Sequence, residues 1–197
     1  FDTYLDYVQQ GIYLWENSPY VKNYPELYFL NYVLFHRTND EEIKPCRTYF
    51  WKKIKDKVQG KAMVEAALEI NHWCAGEVMY QGTDMRTGSA LEIYRSGVGR
   101  CGEEAVFVVN VMRSAGIPAR PVYVPRWSHC DDNHAWVEVW CDGDWHYRGA
   151  CEPEAVLDKG WFTNAASRAM MIGSRWYDRA MPDEKVIGKD GMNRIIN

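Results

Sequence analysis

The spacing of apolar residues shifts along the chain from a helical period to a strand period. Tyr4, Tyr7, Val8, Gly11 and Ile12 make a short amphipathic pattern. Residues 27–35, opened by Pro25-Glu26, are apolar nearly all round, which predicts one buried helix or two short helical pieces. Residues 38–42 form a polar break with helix N-cap chemistry. Helical spacing then resumes over 49–58, where Lys52, Lys53, Lys55 and Lys57 form a solvated side. It continues over 61–79, where Met63, Ala66, Ala67, Ile70 and Cys74 keep the 3.6 period. Residues 81–96 are polar and carry glycine, so they read as a loop with room for one turn of helix at 90–94.

The strongest helix signal lies just beyond. Ala105, Val108, Val109 and Met112 stand at i, i+3, i+4 and i+7, and Gly116 with Pro118 stops the run. After it the period falls to two. Residues 119–125, rich in Val and Tyr, predict a strand in which Pro121 marks an edge or a bulge. Residues 134–140 alternate cleanly: Ala135, Val137 and Val139 on one face, His134, Trp136, Glu138 and Trp140 on the other. Asp142-Gly143 is a hairpin turn, and 145–148 is the return strand. The pattern weakens over 157–171, and 183–197 reads as tail or linker. Helices, then one central helix, then antiparallel strands define an α+β arrangement with that helix packed on the sheet. The chain divides into an N-terminal helical part (1–80), a core (81–180) and a C-terminal tail or linker (181–197).

Composition narrows the function classes. The 197 residues suit one domain, and 47% hydrophobic with 25% charged residues is ordinary globular usage. A net charge of −4 with no basic stripe argues against nucleic acid. No apolar run is long enough for a membrane span, and no signal peptide is visible. The chain begins at Phe1, so it reads as a piece of a longer, multidomain protein. Nine Trp and thirteen Tyr serve cores, and they also line clefts for peptides or sugars. The six cysteines contain no C-x2-C pair, which fits neither a disulfide-stapled scaffold nor a zinc knuckle.

Cys101 opens the predicted central helix, where unpaired N–H groups and the positive end of the dipole favour a thiolate and an oxyanion. A nucleophilic thiol needs a base, and the base needs an orienting group. His134, at the head of a strand just after Asp131-Asp132-Asn133, is the candidate base. Glu152, Asp144 and Glu154 are candidate orienters, with Asp144 confined to the turn. His36, His72, His129 and His146 lack such a setting. Zinc is the competing chemistry, because His129, Cys130, His134, Cys141 and Cys151 crowd a short stretch. Their spacing lacks the paired ligands that structural zinc uses, so no metal is expected.

Taken together, GRCGEEA (99–105), AGIPAR (115–120) with VYVPRW (122–127), DDNHAWVEVW (131–140) and GACEPE (149–154) resemble the transglutaminase-like superfamily. The likeness is strongest over 86–162. It extends to 29–47 and 167–170, and it leans toward bacterial members of the cysteine peptidase kind. The resemblance implies a papain-like fold and a Cys–His–Asp triad, with Cys101 as nucleophile and His134 as base. The triad Asp of the W-x-x-x-D register falls on Gly149, so Glu152 takes over, or a backbone or water group orients His134, or the site is crippled. The resemblance also implies an oxyanion-stabilising Trp upstream, for which Trp73 is the candidate beside the Cys101 backbone N–H. It implies a thioester acyl-enzyme that acts on a protein or peptide substrate and an extracytoplasmic location. The alternatives are acyl transfer to an amine, glycan-releasing amidase activity, or an inactive protein-binding module. No acidic loop has calcium-ligand spacing, and no cofactor is expected.

Overall fold

A computed structural model of the chain describes residues 1–176, 181, 184–190 and 193–196. The N-terminal part is helical as its spacing predicts. Helix α1 (Asp2–Asn17) buries Tyr7, Gln10, Gly11 and Leu14. Helix α2 (Glu26–Phe29) runs directly into a π-helical stretch (Leu30–Leu34), so the apolar run is two short pieces. The polar break starts no helix. Instead, the Glu41 carboxylate accepts the backbone N–H groups of Thr38 at 2.9 Å and Asn39 at 2.6 Å and closes a loop. Helix α3 (Arg47–Val58) begins later and is capped from another element: Asp6 of α1 accepts the N–H groups of Arg47 at 2.9 Å and Thr48 at 3.4 Å.

Helix α4 (Met63–Glu77) leads into β1 (Met79–Tyr80), which pairs in parallel with β2 (Val98–Gly99). Between them lies α5 (Ala90–Ser96), a capped helix that starts where one turn was expected at 90–94 and runs two residues further. Ser89 and Glu92 form a reciprocal capping box, and Gly97 ends the helix at φ 69°. Helix α6 (Cys101–Ser114) is buried on every side from Glu103 to Ser114. Helices α3, α4 and α5 pack around it, as do strands β3 (Ala119–Val124) and β4 (His134–Cys141). Phe107, fully buried at its middle, meets the rings of Phe50, Trp73 and Tyr94.

Strands β3, β4 and β5 (Asp144–Arg148) form an antiparallel sheet in that order, and β4 joins β5 through Asp142 and Gly143, both at positive φ. Pro121 sits on an edge strand of this sheet, and that edge is partly covered by a bridge from Tyr123 to Gly173. The alternation in β4 predicts one dry face and one wet face, yet both are covered. Ala135, Val137 and Val139 face the main core. His134 and Trp136 are buried against Phe162, which belongs to a second apolar cluster with Val122, Val124 and Trp127. Phe162 precedes the short helix α7 (Thr163–Ala166), within the stretch where the apolar pattern weakens.

The segment read as tail or linker contains strands β7 (Val186–Asp190) and β8 (Asn193–Ile196), which join β6 (Ser174–Trp176) in the order β6-β8-β7. Asp183 and Asn197, the ends of that stretch, lie outside the described residues. Glu184 fastens the segment to the body: Arg120 reaches it at 2.9 Å and Glu138 at 2.7 Å, and the Tyr32 hydroxyl bonds to the same carboxylate. No helix among the described residues is long and apolar enough to cross a membrane.

The capping of α3 by Asp6 predicts that Asp6→Ala lowers stability by about 1 kcal/mol. The measurement is urea unfolding followed by far-ultraviolet circular dichroism; an unchanged midpoint would mean that the cap contributes nothing.

Candidate active site

The N-terminus of α6 is held by its own third residue. Glu103 accepts the Arg100 N–H at 3.1 Å, the Gly88 N–H at 3.0 Å and the Thr83 hydroxyl at 2.5 Å. The Arg100 guanidinium binds the carbonyls of Asp84, Met85 and Arg86. Cys101, the first residue of the helix, is therefore fixed from both sides. Its half-buried sulfur is approached by the backbone N–H groups of Gly102 and Ala135. Ala135 follows His134 on β4, so the helix mouth and the strand head meet.

Two cavities share this meeting point, and Arg100, Cys101, Asn133 and His134 line both. The smaller, about 240 Å³, runs between α6 and β3 toward Asn39 and Arg175. The larger, about 730 Å³, runs past Glu104, Cys151 and Glu152 toward Tyr80 and Trp161.

Glu152 reaches His134 by an unusual route. The strand register that would put a carboxylate at residue 149 meets glycine there. A Cβ on Gly149 would lie 1.9 Å from Glu152 Oε2 and 2.2 Å from its carboxyl carbon. The carboxylate of Glu152 therefore fills the space above Gly149. Gly149 is not among the residues at positive φ, so the constraint there is room rather than backbone conformation. Glu152 Oε1 lies 3.9 Å from His134 Nε2 and accepts the Trp161 indole N–H at 2.9 Å. At that distance His134 Nε2 is buried without a hydrogen-bond partner among the described residues. The ring of Trp161, largely exposed, stands 4.7 Å from that of His134 and covers the pair.

The turn that carries Glu152 is held from beneath. Asn71, fully buried on α4, donates to the carbonyls of Gly149 at 3.1 Å and Glu152 at 2.7 Å, and accepts the Cys151 N–H at 3.1 Å. Arg148, also fully buried, donates to the carbonyls of Glu152 and Glu154 at 3.2 Å each. Cys151 holds φ 57° inside this turn.

Burial sets the protonation states. It lowers the His134 imidazole to about 4, against a smaller opposing effect of Asp132. It pushes the Cys101 thiol up, and the Ala135 and Gly102 amides only partly offset this. Thiol and imidazole therefore rest neutral, not as an ion pair, and the expected helix-terminus thiolate is outweighed by desolvation. Burial, reinforced by the Glu152 charge, lifts Glu104 to about 8. Burial also raises Glu152, partly opposed by the Trp161 hydrogen bond.

Cys101, His134 and Glu152 are thus brought together. Trp73 is not. Its indole packs against Tyr94 and Phe107 in the core, and it lines neither cavity. The Cys101 backbone N–H remains at the helix start as the expected donor. Asp144 bonds its own turn, and Glu154 pairs with Lys159 at 3.4 Å. Among the described residues no group of three or more His, Cys, Asp or Glu side chains is arranged to hold a metal; Cys141 is buried and Cys130 exposed. Sequence reasoning missed Asn71, Glu104, Arg148 and Trp161. Asn71 left a signal: it is polar, and it interrupts the apolar face formed by Ala67, Ile70 and Cys74.

The sequence model of the transglutaminase-like superfamily matches residues 52–163, more than half of the chain, and the chain belongs to that superfamily. Cys101, His134 and Glu152 all fall inside the match, and the α+β arrangement is papain-like. Among solved structures, one described as a cysteine protease candidate from Cytophaga hutchinsonii is 18% identical with a TM-score of 0.45, over 76% of this chain and 56% of that one. LapG of Legionella pneumophila is 16% identical with a TM-score of 0.46, over 62% of this chain and 68% of its own. The chain thus spans little more than half the length of the Cytophaga protein. No curated protein matches the chain.

A neutral thiol and imidazole predict that iodoacetamide alkylation of Cys101, followed by peptide mass spectrometry, climbs about tenfold per pH unit between pH 6 and 8. A plateau across that range would mean a preformed ion pair. Glu104, neutral at pH 6 and charged above about 8, opposes the thiolate only when ionised. Glu104→Gln is therefore expected to leave the rate at pH 6 unchanged and to raise it roughly two- to fivefold at pH 9. An equal effect at both values would contradict this assignment.

Proposed function

We propose that the chain is a cysteine hydrolase of peptide or amide bonds that works through a thioester acyl-enzyme. The observation that carries this reading is the Glu152 carboxylate lying over Gly149 and toward His134, beside a thiol at a helix mouth. A carboxylate from a neighbouring position thereby stands in for the one that the superfamily register lacks here.

In this reading the neutral His134 imidazole takes the Cys101 proton as the sulfur attacks the carboxamide carbon. The tetrahedral oxyanion is held by the Cys101 backbone N–H at the start of α6. The C–N bond breaks, the amine leaves with the proton from His134, and the acyl group stays on sulfur. Water, deprotonated by His134, then cleaves the thioester to give the carboxylic acid and the restored thiol. Glu152 is the positioning group: its negative charge stabilises the imidazolium that forms in both halves. The carboxylate lies 3.9 Å from His134 Nε2 and is bonded by the Trp161 indole N–H, so in this reading its charge acts on the imidazolium at short range.

Cleavage of a mixed peptide library, read by mass spectrometry, tests the reading. Cys101→Ala is expected to abolish turnover, and Glu152→Gln to cut kcat by about 10²–10⁴-fold. Gly149→Asp alone displaces Glu152, whereas Gly149→Asp combined with Glu152→Gly is expected to recover at least about tenfold over Glu152→Gly alone. Full activity in Cys101→Ala would end the reading.

A further inference from the structure

Burial along α6 leaves one polar side chain unmatched. Glu103 accepts three hydrogen bonds at the helix start. Asn110 donates to the Thr38 hydroxyl and the Val106 carbonyl. Arg113 donates to the carbonyls of Phe35, Arg37 and Ala119, and the Ser114 hydroxyl to that of Val111. Glu104, only 6% exposed, is buried as they are, yet no side chain or backbone group among the described residues bonds its carboxyl or pairs with it. Its open side is the larger cavity; it does not line the smaller. A carboxyl buried without a partner is costly, and the partner missing here is one that the cavity can admit.

Resting on the hydrolase reading above, we propose that the larger cavity is a substrate subsite for a cationic side chain of the peptide, Arg or Lys, whose head group pairs with the Glu104 carboxylate. Three features support it. Negative charge gathers there: Glu152 lies inside, Asp132 is exposed at the mouth, and the charge that acts on Glu104 is that of Glu152. The one Arg among its described lining residues, Arg100, turns its guanidinium to the carbonyls of Asp84, Met85 and Arg86. The cavity also has the shape of such a side chain. At about 730 Å³ it has room for a long one, Ala75 and Val78 offer an apolar wall for the stem, and the largely exposed rings of Tyr80 and Trp161 offer faces to the cation. A guanidinium answers a carboxylate through two parallel N–H bonds. A cation seated beside Glu104 offsets both the burial and the repulsion from Glu152, so the carboxyl ionises and its proton passes to solvent. Peptides with a basic residue close to the scissile bond are the preferred class.

The test uses small alkylating probes whose rates at Cys101 are read by peptide mass spectrometry at pH 9: the N-iodoacetyl α-amides of arginine, of citrulline as its uncharged isostere, and of glutamic acid, with iodoacetamide as reference. The wild type is expected to react with the arginyl probe about fivefold faster than with the citrullinyl probe, and slowest with the glutamyl probe. Both probes meet the same thiolate, so their ratio is free of any effect of Glu104 on the sulfur. Glu104→Gln brings the arginyl-to-citrullinyl ratio below about two, and Glu104→Asp, which keeps the charge, holds it above the Glu104→Gln value. Should Glu104→Gln fail to fold, Met79→Lys, which adds a positive charge at an exposed position of the same cavity, lowers the ratio instead. If iodoacetamide labels Cys101 but the ratio is the same in wild type and variants, the subsite is wrong and the hydrolase reading stands. If iodoacetamide does not reach Cys101 at all, the hydrolase reading falls and takes the subsite with it.

Discussion

A side chain at residue 149 and the carboxylate of Glu152 cannot occupy the same space, and the candidate site depends on that exclusion. Glycine at 149 leaves a hollow beside the end of β5, and Glu152 folds back into it. Nothing about the backbone at 149 demands glycine. What demands it is the neighbouring acid. The turn is also expensive to build: it sets Cys151 at positive φ and buries Arg148 with two of its nitrogens unpartnered among the described residues. Asn71 and Arg148 offset that cost by taking up the carbonyls of residues 149, 152 and 154. A buried polar staple under a half-buried turn is the arrangement expected where the position of one carboxylate must be held closely.

Electrostatics follow from the same burial. Desolvation pushes the imidazole toward its neutral form and the thiol toward its protonated form. The resting site is therefore uncharged at its centre, with the carboxyl groups of Asp132 and Glu152 on the side of Trp161 and the Arg175 guanidinium on the side of Asn39. A substrate that excludes water from this cleft strengthens whatever charge develops on His134, and the Glu152 carboxylate is the group nearest to answer it.

Much of this was legible in the chain itself. The place and end of α6 follow from its apolar face and its Gly-Pro stop, and the β4–β5 hairpin from Asp142-Gly143, whereas the burial of the polar side of α6, Glu103, Glu104, Asn110 and Arg113 included, does not. Cys101 at a helix start and His134 at a strand head could be read from period alone. Other features depended on contacts between distant residues. The cap of α3 comes from Asp6 on another helix, so residues 38–42 misled. Ser89 and Glu92 do form a capping box, but the helix they start is short and lies in a polar stretch, where periodicity has little to grip. His134 and Trp136 look outward in a strand pattern, and only Phe162, from a segment of weak pattern, buries them. Trp73 was drawn to the site by resemblance and went to the aromatic core, where Tyr94 and Phe107 offer it partners. Strands β7 and β8 are short, each with only two β-branched apolar residues beside Gly, Asn or charged ones, too brief a run for alternation to show.

Covalent capture on Cys101 tests the central claim most directly. Mixed rapidly with p-nitrophenyl acetate, the protein should release a burst of p-nitrophenolate equal to its concentration and then turn over slowly, with an acetyl mass on the peptide that carries Cys101. Glu152→Gln should keep the acetyl group on that peptide longer. No burst, or acetylation spread over the exposed Cys130 instead of Cys101, would contradict the account.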